Sequence, residues 1–249
     1  MNAGRETARV VGVLYVVGTI AGILSLVFTG PLRNAQDQLV SVSLSETRLV
    51  VGALFVLMMG LALALVPVMM FPIFRKHNEA LALGYVVLRG GLEAGTYLAI
   101  ATSWLLLVPL SRAYVQAGAS NASTFQALGT QLLEAHELAS VLAIVFCAGA
   151  LIFNYLLYRT KLVPRWLSGW GLIAIVPYLA AGLLAMFGIS DPSSPVYAIL
   201  DVPLALQEMA LAVWLIVKGF DPPATVLETA KTGPGAVERA RLERASIPG

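Results

Sequence analysis

Six long apolar segments constrain the fold of this chain more than any other feature of its sequence. They cover residues 10–28, 49–71, 81–109, 132–158, 166–189 and 196–217. An α-helix needs about 20 predominantly apolar residues to cross the hydrocarbon core of a bilayer, and each segment is long enough. Charged residues make up only 12% of the chain, against about 25% in a typical soluble domain. The sequence therefore predicts an all-α integral membrane bundle of six transmembrane helices.

Basic residues close to the ends of these segments predict how the bundle is oriented. One side of the predicted membrane has eight of them: Arg5, Arg9, Arg75, Lys76, Arg159, Lys161, Arg165 and Lys218. The other side has three: Arg33, Arg48 and Arg112. Cytoplasmic loops carry the excess of Lys and Arg, so both the N- and the C-terminus are predicted to be cytoplasmic, in the cell (inner or plasma) membrane. Residues 1–218 are predicted to form the membrane domain, and residues 219–249 a polar, disordered cytoplasmic tail.

The third segment contains two charged residues, Arg89 and Glu93, where a membrane helix should carry apolar side chains. At about 100° per residue, they share one helix face with Tyr85 and Thr96. A charged residue at the centre of a membrane helix costs roughly 2.5–3.5 kcal/mol on insertion scales. This face is therefore predicted to turn toward the interior of the bundle and to find polar partners there.

Two other segments supply candidate partners at similar depth, since a helix rises about 1.5 Å per residue. Glu208 is predicted near the midplane with Glu93, and Asn154 near the level of Arg89. The candidate central cluster is Tyr85, Arg89, Glu93, Asn154 and Glu208. One guanidinium can bind two carboxylates without a metal ion. A candidate outer cluster, closer to the other membrane surface, comprises His136, Glu137 and Asp201.

Several classes of function have no support in the sequence. The two histidines, His77 and His136, fall on opposite sides of the membrane, so neither a histidine-rich metal site nor a bis-histidine haem is expected, and no cofactor is predicted. The sequence has no glycine-rich phosphate loop and no dinucleotide fingerprint. No basic block is dense enough for nucleic-acid binding. The expected partners are the lipid bilayer and a small-molecule or lipid ligand. The glycine pairs Gly18/Gly22 and Gly91/Gly95 permit close helix packing, either within one chain or in a homo-oligomer.

Three sequence blocks resemble a known family. They are FRKHNEALALGYVVLRGGLEA (74–94), NYLLYRTKLVPRWLSGWGLI (154–173) and LQEMALAVWLIVKGF (206–220). Together they resemble the bacterial membrane family catalogued as domain of unknown function 4386, over roughly residues 8–220. The resemblance implies a multi-pass membrane protein of unassigned activity, so it implies no catalytic residue. The blocks include all five residues of the candidate central cluster.

Three functional hypotheses follow from these observations. In the first, the central carboxylates and Arg89 bind a small solute or relay protons, as intramembrane ionisable residues often do. In the second, the chain is an intramembrane enzyme acting on a lipid or isoprenoid, with His136 as acid or base beside Asp201. In the third, it is a scaffold or regulatory protein whose ion cluster only fixes helix register. The sequence alone does not decide between them, or whether the protein is an enzyme at all.

Overall fold

The structure, a computed structural model, describes residues 3–117, 122–134, 136–191 and 194–221. Of Ala3, His136, Glu137 and Ala139 it describes only the backbone. The regular structure within these ranges is helical throughout. Most of the predicted tail, from residue 222 onward, lies outside the described residues.

Nine α-helices and one π-helix follow one another along the described ranges. They are α1 (Ala3–Arg33), α2 (Gln38–Leu44), α3 (Glu46–Phe74), α4 (Glu79–Tyr85), the π-helix (Val86–Glu93), α5 (Ala94–Ala117), α6 (Ala122–Glu134), α7 (His136–Thr160), α8 (Arg165–Met186) and α9 (Pro195–Val217). The helix α4, the π-helix and α5 join into one continuous span, Glu79–Ala117.

Six helices in the described ranges are long and apolar enough to cross a membrane: α1, α3, the joined third span, α7, α8 and α9. Leu61, Ile173 and Leu206 are among many large apolar side chains that these helices expose. Such a surface is not tolerated in water but suits acyl chains. The predicted all-α, six-span membrane fold is confirmed.

The six spans pack in a closed ring. The helix α1 contacts α3, α3 contacts the third span, and the third span contacts α7. The helix α7 then packs on α8, α8 on α9, and α9 returns to α1. Phe153 of α7 points into the interior of the bundle. The centroid of its aromatic ring lies 5.1 Å from that of Tyr85 and 6.1 Å from that of Tyr15. Residues on several different spans therefore meet in one interior.

The segments between the spans are more helical than the sequence predicts. The helix α1 continues through Pro31, and α2 forms between the first two predicted spans. The third span was predicted to stop at Pro109 but runs to Ala117. The extension is held by side-chain contacts: Arg112 pairs with Glu46, and Tyr114 donates a hydrogen bond of 2.8 Å to Asp37.

The chain is also helical ahead of the fourth predicted span, 132–158. The helix α6 covers Ala122–Glu134. It packs against α5, and the indole Nε1 of Trp104 donates to the carbonyl of Leu133 at 3.0 Å. Gly129 and Leu133 form the buried side of α6. The helix α6 is therefore held against α5, and sequence periodicity does not predict such a contact.

The two glycine pairs behave differently. Gly18 and Gly22 face Leu63 and Met59 of α3, so they serve packing within one chain. Gly91 and Gly95 face open space, where an added Cβ atom would meet nothing within 4 Å. Close packing at that second pair is therefore not part of the fold of the single chain.

The contact between α1 and α9 gives a stability prediction. A Cβ atom at Gly12 would lie 2.7 Å from the backbone oxygen of Ala212, so Gly12→Ala must push the first and last spans apart. We expect a loss of roughly 1–3 kcal/mol, the usual cost of overpacking, seen as a lower midpoint of thermal unfolding in detergent. Gly95→Ala is the matched control, since it adds the same methyl group in open space and removes a helix-weakening glycine. Equal midpoints for the two variants would contradict the α1–α9 contact.

Candidate functional site

The candidate site is built on the π-helix of the third span. Tyr85, Arg89, Glu93 and Tyr97 are spaced four residues apart, and all four are buried. In an α-helix each four-residue step turns about 40° beyond a full turn, so three steps would carry the last side chain well away from the first. The π-helix bonds each residue to the fifth along and takes up more residues per turn. The four side chains therefore stay on the interior face of the bundle.

Arg89 contacts carboxylates from two different spans. Its Nη2 donates a hydrogen bond of 3.2 Å to Oε1 of Glu208 on α9. Its Nε lies 3.8 Å from Oε2 of Glu93, one turn along the same span. The side chains of Arg89 and Glu93 are 0% exposed, whereas that of Glu208 is 20% exposed. One cation thus links a fully buried carboxylate to a partly exposed one.

Two aromatic rings enclose the guanidinium of Arg89. Its Cζ lies 4.7 Å from the ring centroid of Phe146 on α7 and 5.3 Å from that of Tyr15 on α1. Such cation–π contacts contribute about 0.5–2 kcal/mol each, the larger values when the cation is desolvated. Together with the two carboxylates, these rings bring groups from α1, α7, α9 and the third span into contact with Arg89.

The hydrogen bonding of this cluster is incomplete. Among the described residues, Nε and Nη1 of Arg89 and both carboxylate oxygens of Glu93 are buried without a hydrogen-bond partner. The phenol of Tyr97 lies near the Glu93 carboxylate but does not meet hydrogen-bond geometry. A buried ion pair offsets its desolvation only when its remaining donors and acceptors are satisfied. Several donors and acceptors of the cluster thus have no hydrogen-bond partner among the described protein groups.

The formal charges within the cluster also do not balance. Arg89 supplies one positive charge, and Glu93 with Glu208 supply two negative charges when both are ionised. An uncompensated charge in an apolar interior is costly. Neutrality requires a proton on one carboxylate or a cation bound beside it.

Two predicted members of the central cluster, Tyr85 and Asn154, make no hydrogen bond to Arg89 among the described contacts. The ring of Tyr85 stacks on that of Phe153, and its phenol lies near that of Tyr15. Asn154 does not contact Arg89; its Oδ1 accepts a hydrogen bond of 3.2 Å from Nε2 of Gln207, which also donates to the Leu167 carbonyl. Asn154 and Gln207 thus form a separate polar contact that joins α7, α8 and α9.

Of the predicted outer cluster, only the side chain of Asp201 is described. His136 and Glu137 lie on α7, but their side chains are outside the described residues, so the predicted pairing of His136 with Asp201 stays a prediction. Asp201 is partly buried and lies within electrostatic range of Glu208 and of the phenols of Tyr178 and Tyr197.

An aromatic series connects this region to Arg89. The ring of Tyr197 packs edge-on against Tyr178 at 5.9 Å, and Tyr178 packs against Phe146 at 5.6 Å. Phe146 in turn contacts the guanidinium of Arg89. The series therefore joins Tyr197, which lies near Asp201, to the guanidinium of Arg89.

Sequence reasoning missed four residues that line or adjoin the cluster: Tyr15, Tyr97, Phe146 and Gln207. The four-residue spacing that Tyr97 shares with Tyr85, Arg89 and Glu93 was the signal available, although in an α-helix it places Tyr97 about 120° from Tyr85. Tyr15 and Phe146 carry no such signal, since each is one aromatic residue in an apolar run. Their contact with Arg89 is seen only when the six helices are assembled.

No group of three or more His, Cys, Asp or Glu side chains within the described ranges is arranged to hold a metal ion. Glu93 and Glu208 share Arg89 rather than a common metal-binding position. The donors and acceptors of the site are thus a guanidinium, two carboxylates and nearby phenols.

The fold and the interior cluster define a class: a multi-pass, all-α membrane protein with a charged group at the centre of its bundle. The chain belongs to the family described as a domain of unknown function (DUF4386), whose model matches residues 10–219. The predicted family membership is confirmed. No curated protein and no solved structure matches the chain.

The ion cluster gives a second prediction. Arg89→Met leaves Glu93 and Glu208 without their cation, and breaking a buried pair on one side costs about 3–5 kcal/mol. We expect a large fall in the midpoint of thermal unfolding. The triple variant Arg89→Met/Glu93→Gln/Glu208→Gln should recover much of that loss, because it removes the charges together. Arg48→Met, at an exposed arginine, is the control and should stay within about 0.5 kcal/mol of the parent. If Arg89→Met behaved like Arg48→Met, the cluster would not be buried as described.

Proposed function

We propose that this protein binds a small solute or protons within its six-helix bundle and carries them across the membrane. In this proposal the site is the Arg89–Glu93–Glu208 cluster. One observation carries it: a single buried arginine shared by a fully buried carboxylate and a partly exposed one. Intramembrane ionisable residues of this kind mark ion and substrate pathways and proton relays.

The charge imbalance supports exchange of a proton or of a cationic group. Glu208 is the partly exposed carboxylate, and Arg89 connects it to Glu93. A proton that arrives at Glu208 weakens its attraction to Arg89 and leaves the guanidinium free to pair with Glu93. The two carboxylates thus compete for one cation, and such competition can couple protonation to movement of the spans.

The incomplete hydrogen bonding of the cluster supports binding of a small solute as well as protons. The unpaired N–H groups of Arg89 can donate to an anionic or carbonyl oxygen, and the Glu93 oxygens can accept from an ammonium or hydroxyl group. Because Arg89 and Glu93 are fully buried, a solute reaches them only when the helices separate.

Proline residues provide places for that movement. Pro203 lies inside α9 between Asp201 and Glu208, and Pro177 lies inside α8. A proline within a helix removes one backbone hydrogen bond and is a common cause of kinks. Bending of α9 at Pro203 would move Glu208 relative to Arg89, which belongs to the third span.

The alternatives have less support from the described residues. The enzyme hypothesis depends on the side chain of His136, which is outside the described residues. The scaffold hypothesis explains the ion pairs but leaves the unpaired polar atoms of Arg89 and Glu93 without a role. The scaffold hypothesis is the one to expect if the cluster exchanges neither protons nor a solute.

Proton movement can be tested in proteoliposomes. A pH-sensitive dye is trapped inside, and a potassium diffusion potential is set with valinomycin. We expect a proton flux with the parent protein that Glu208→Gln abolishes, because an amide cannot release a proton. Glu79→Gln is the matched control, since Glu79 is exposed at the start of α4, and it should keep the parent flux.

A second measurement detects proton binding without transport. Infrared difference spectra between acidic and alkaline samples should contain the carbonyl band of a protonated carboxyl group, reduced in Glu208→Gln or Glu93→Gln and unchanged in Glu79→Gln. The absence of both a flux and this band would contradict proton binding and proton transport by the cluster.

A further inference from the structure

A second polar site lies away from the central cluster, at the end of the bundle where α3 and α7 terminate. A cavity of about 210 Å³ opens between the α3–α4 turn and the last turn of α7. It is lined by His77, Asn78, Leu81, Tyr155, Leu156, Arg159 and Thr160. A single water occupies about 30 Å³ of the liquid, so the cavity can accept a considerably larger group.

The chemistry of this cavity suits an anion. Arg159 carries a permanent positive charge, and the described residues that line the cavity include no acidic side chain. The side-chain oxygen of Asn78 accepts from the Leu81 backbone N–H at 3.0 Å, which leaves its amide NH₂ as a donor. His77 and the phenol of Tyr155 add further donor groups.

The neighbouring arginines are held by aromatic rings. Arg75 lies over the ring of Phe71 at 5.9 Å, and Arg165 lies over the ring of Tyr158 at 5.1 Å. Arg159, in contrast, lines the cavity. The three arginines therefore have different surroundings, and Arg159 is the one placed for an anion in the cavity.

The surface next to the cavity is apolar. The helix α4 and the π-helix pack against α7, and Leu83 and Val87 on one side and Leu151 on the other expose 54%, 51% and 51% of their surface. Tyr155, 41% exposed, lies between this surface and the cavity. Aromatic residues of this kind are enriched at the level of lipid headgroups.

We propose that this cavity binds the phosphate of an anionic phospholipid, with Arg159 as the principal cationic contact and the acyl chains along the α4–α7 surface. A basic pocket between transmembrane helices, beside an exposed apolar surface, is the arrangement that recognises such headgroups. The site is separate from the Arg89 cluster and does not depend on the function proposed for it.

The test uses the full chain, purified in detergent, and native mass spectrometry with added phosphatidylglycerol or phosphatidylcholine of identical acyl chains. We expect phosphatidylglycerol to bind more tightly. Arg159→Gln should weaken that binding about fivefold to tenfold, as expected for loss of one cation beside an anionic headgroup. Arg165→Gln, which removes the same charge from a neighbouring position, should retain the preference.

Two further measurements test the site. Arg159→Lys keeps the positive charge and should retain most of the preference for phosphatidylglycerol. It tests the site even if Arg159→Gln unfolds. Inorganic phosphate should compete weakly, since it lacks acyl chains. Equal effects of Arg159→Gln and Arg165→Gln would show a diffuse surface charge and overturn the site. Complete displacement of the lipid by inorganic phosphate at low concentration would show a site for the free anion and overturn the assignment to lipid.

Discussion

The structure depends on the need to keep one arginine away from lipid. Arg89 lies in the middle of an apolar span, and a cation there is tolerated only when protein groups surround it. Each neighbouring element meets part of that need. The third span supplies Glu93, α9 supplies Glu208, and α1 and α7 supply the rings of Tyr15 and Phe146. Closing the six spans into a ring brings these groups together, so the fold and the cluster require one another.

The π-helix makes this arrangement possible within a single span. An α-helix of the same sequence would turn Tyr97 away from Tyr85, and fewer side chains of the third span would reach the interior. π-Helical segments are rare in proteins and occur frequently at functional sites. The residues of the cluster with unpaired polar atoms, Arg89 and Glu93, lie in this segment. Irregular backbone and incomplete hydrogen bonding thus coincide in this segment.

The sequence predicts the spans and the pairing of Arg89 with Glu93 and Glu208 because both follow from transfer free energies. A run of apolar residues has one low-energy environment, and a charge inside it has few possible partners. Asn154 shows the limit of that reasoning. Its depth fits the cluster, but its partner is Gln207, because the choice between two polar neighbours at similar depth depends on helix rotation. The packing of α6 on α5 includes the hydrogen bond from Trp104 to Leu133, and the cavity beside Arg159 depends on how the α3–α4 turn meets α7. Hydrophobic periodicity along a single helix predicts neither of these two features.

The central claim is that Arg89 lies inside the ring and contacts carboxylates of the third and sixth spans. The most direct measurement is an experimental structure in lipid nanodiscs at a resolution that shows side chains. The account predicts the guanidinium of Arg89 between Glu93 and Glu208, with the rings of Tyr15 and Phe146 beside it and a π-helical turn behind it. An Arg89 side chain directed toward the acyl chains, or α9 placed away from the third span, would contradict it.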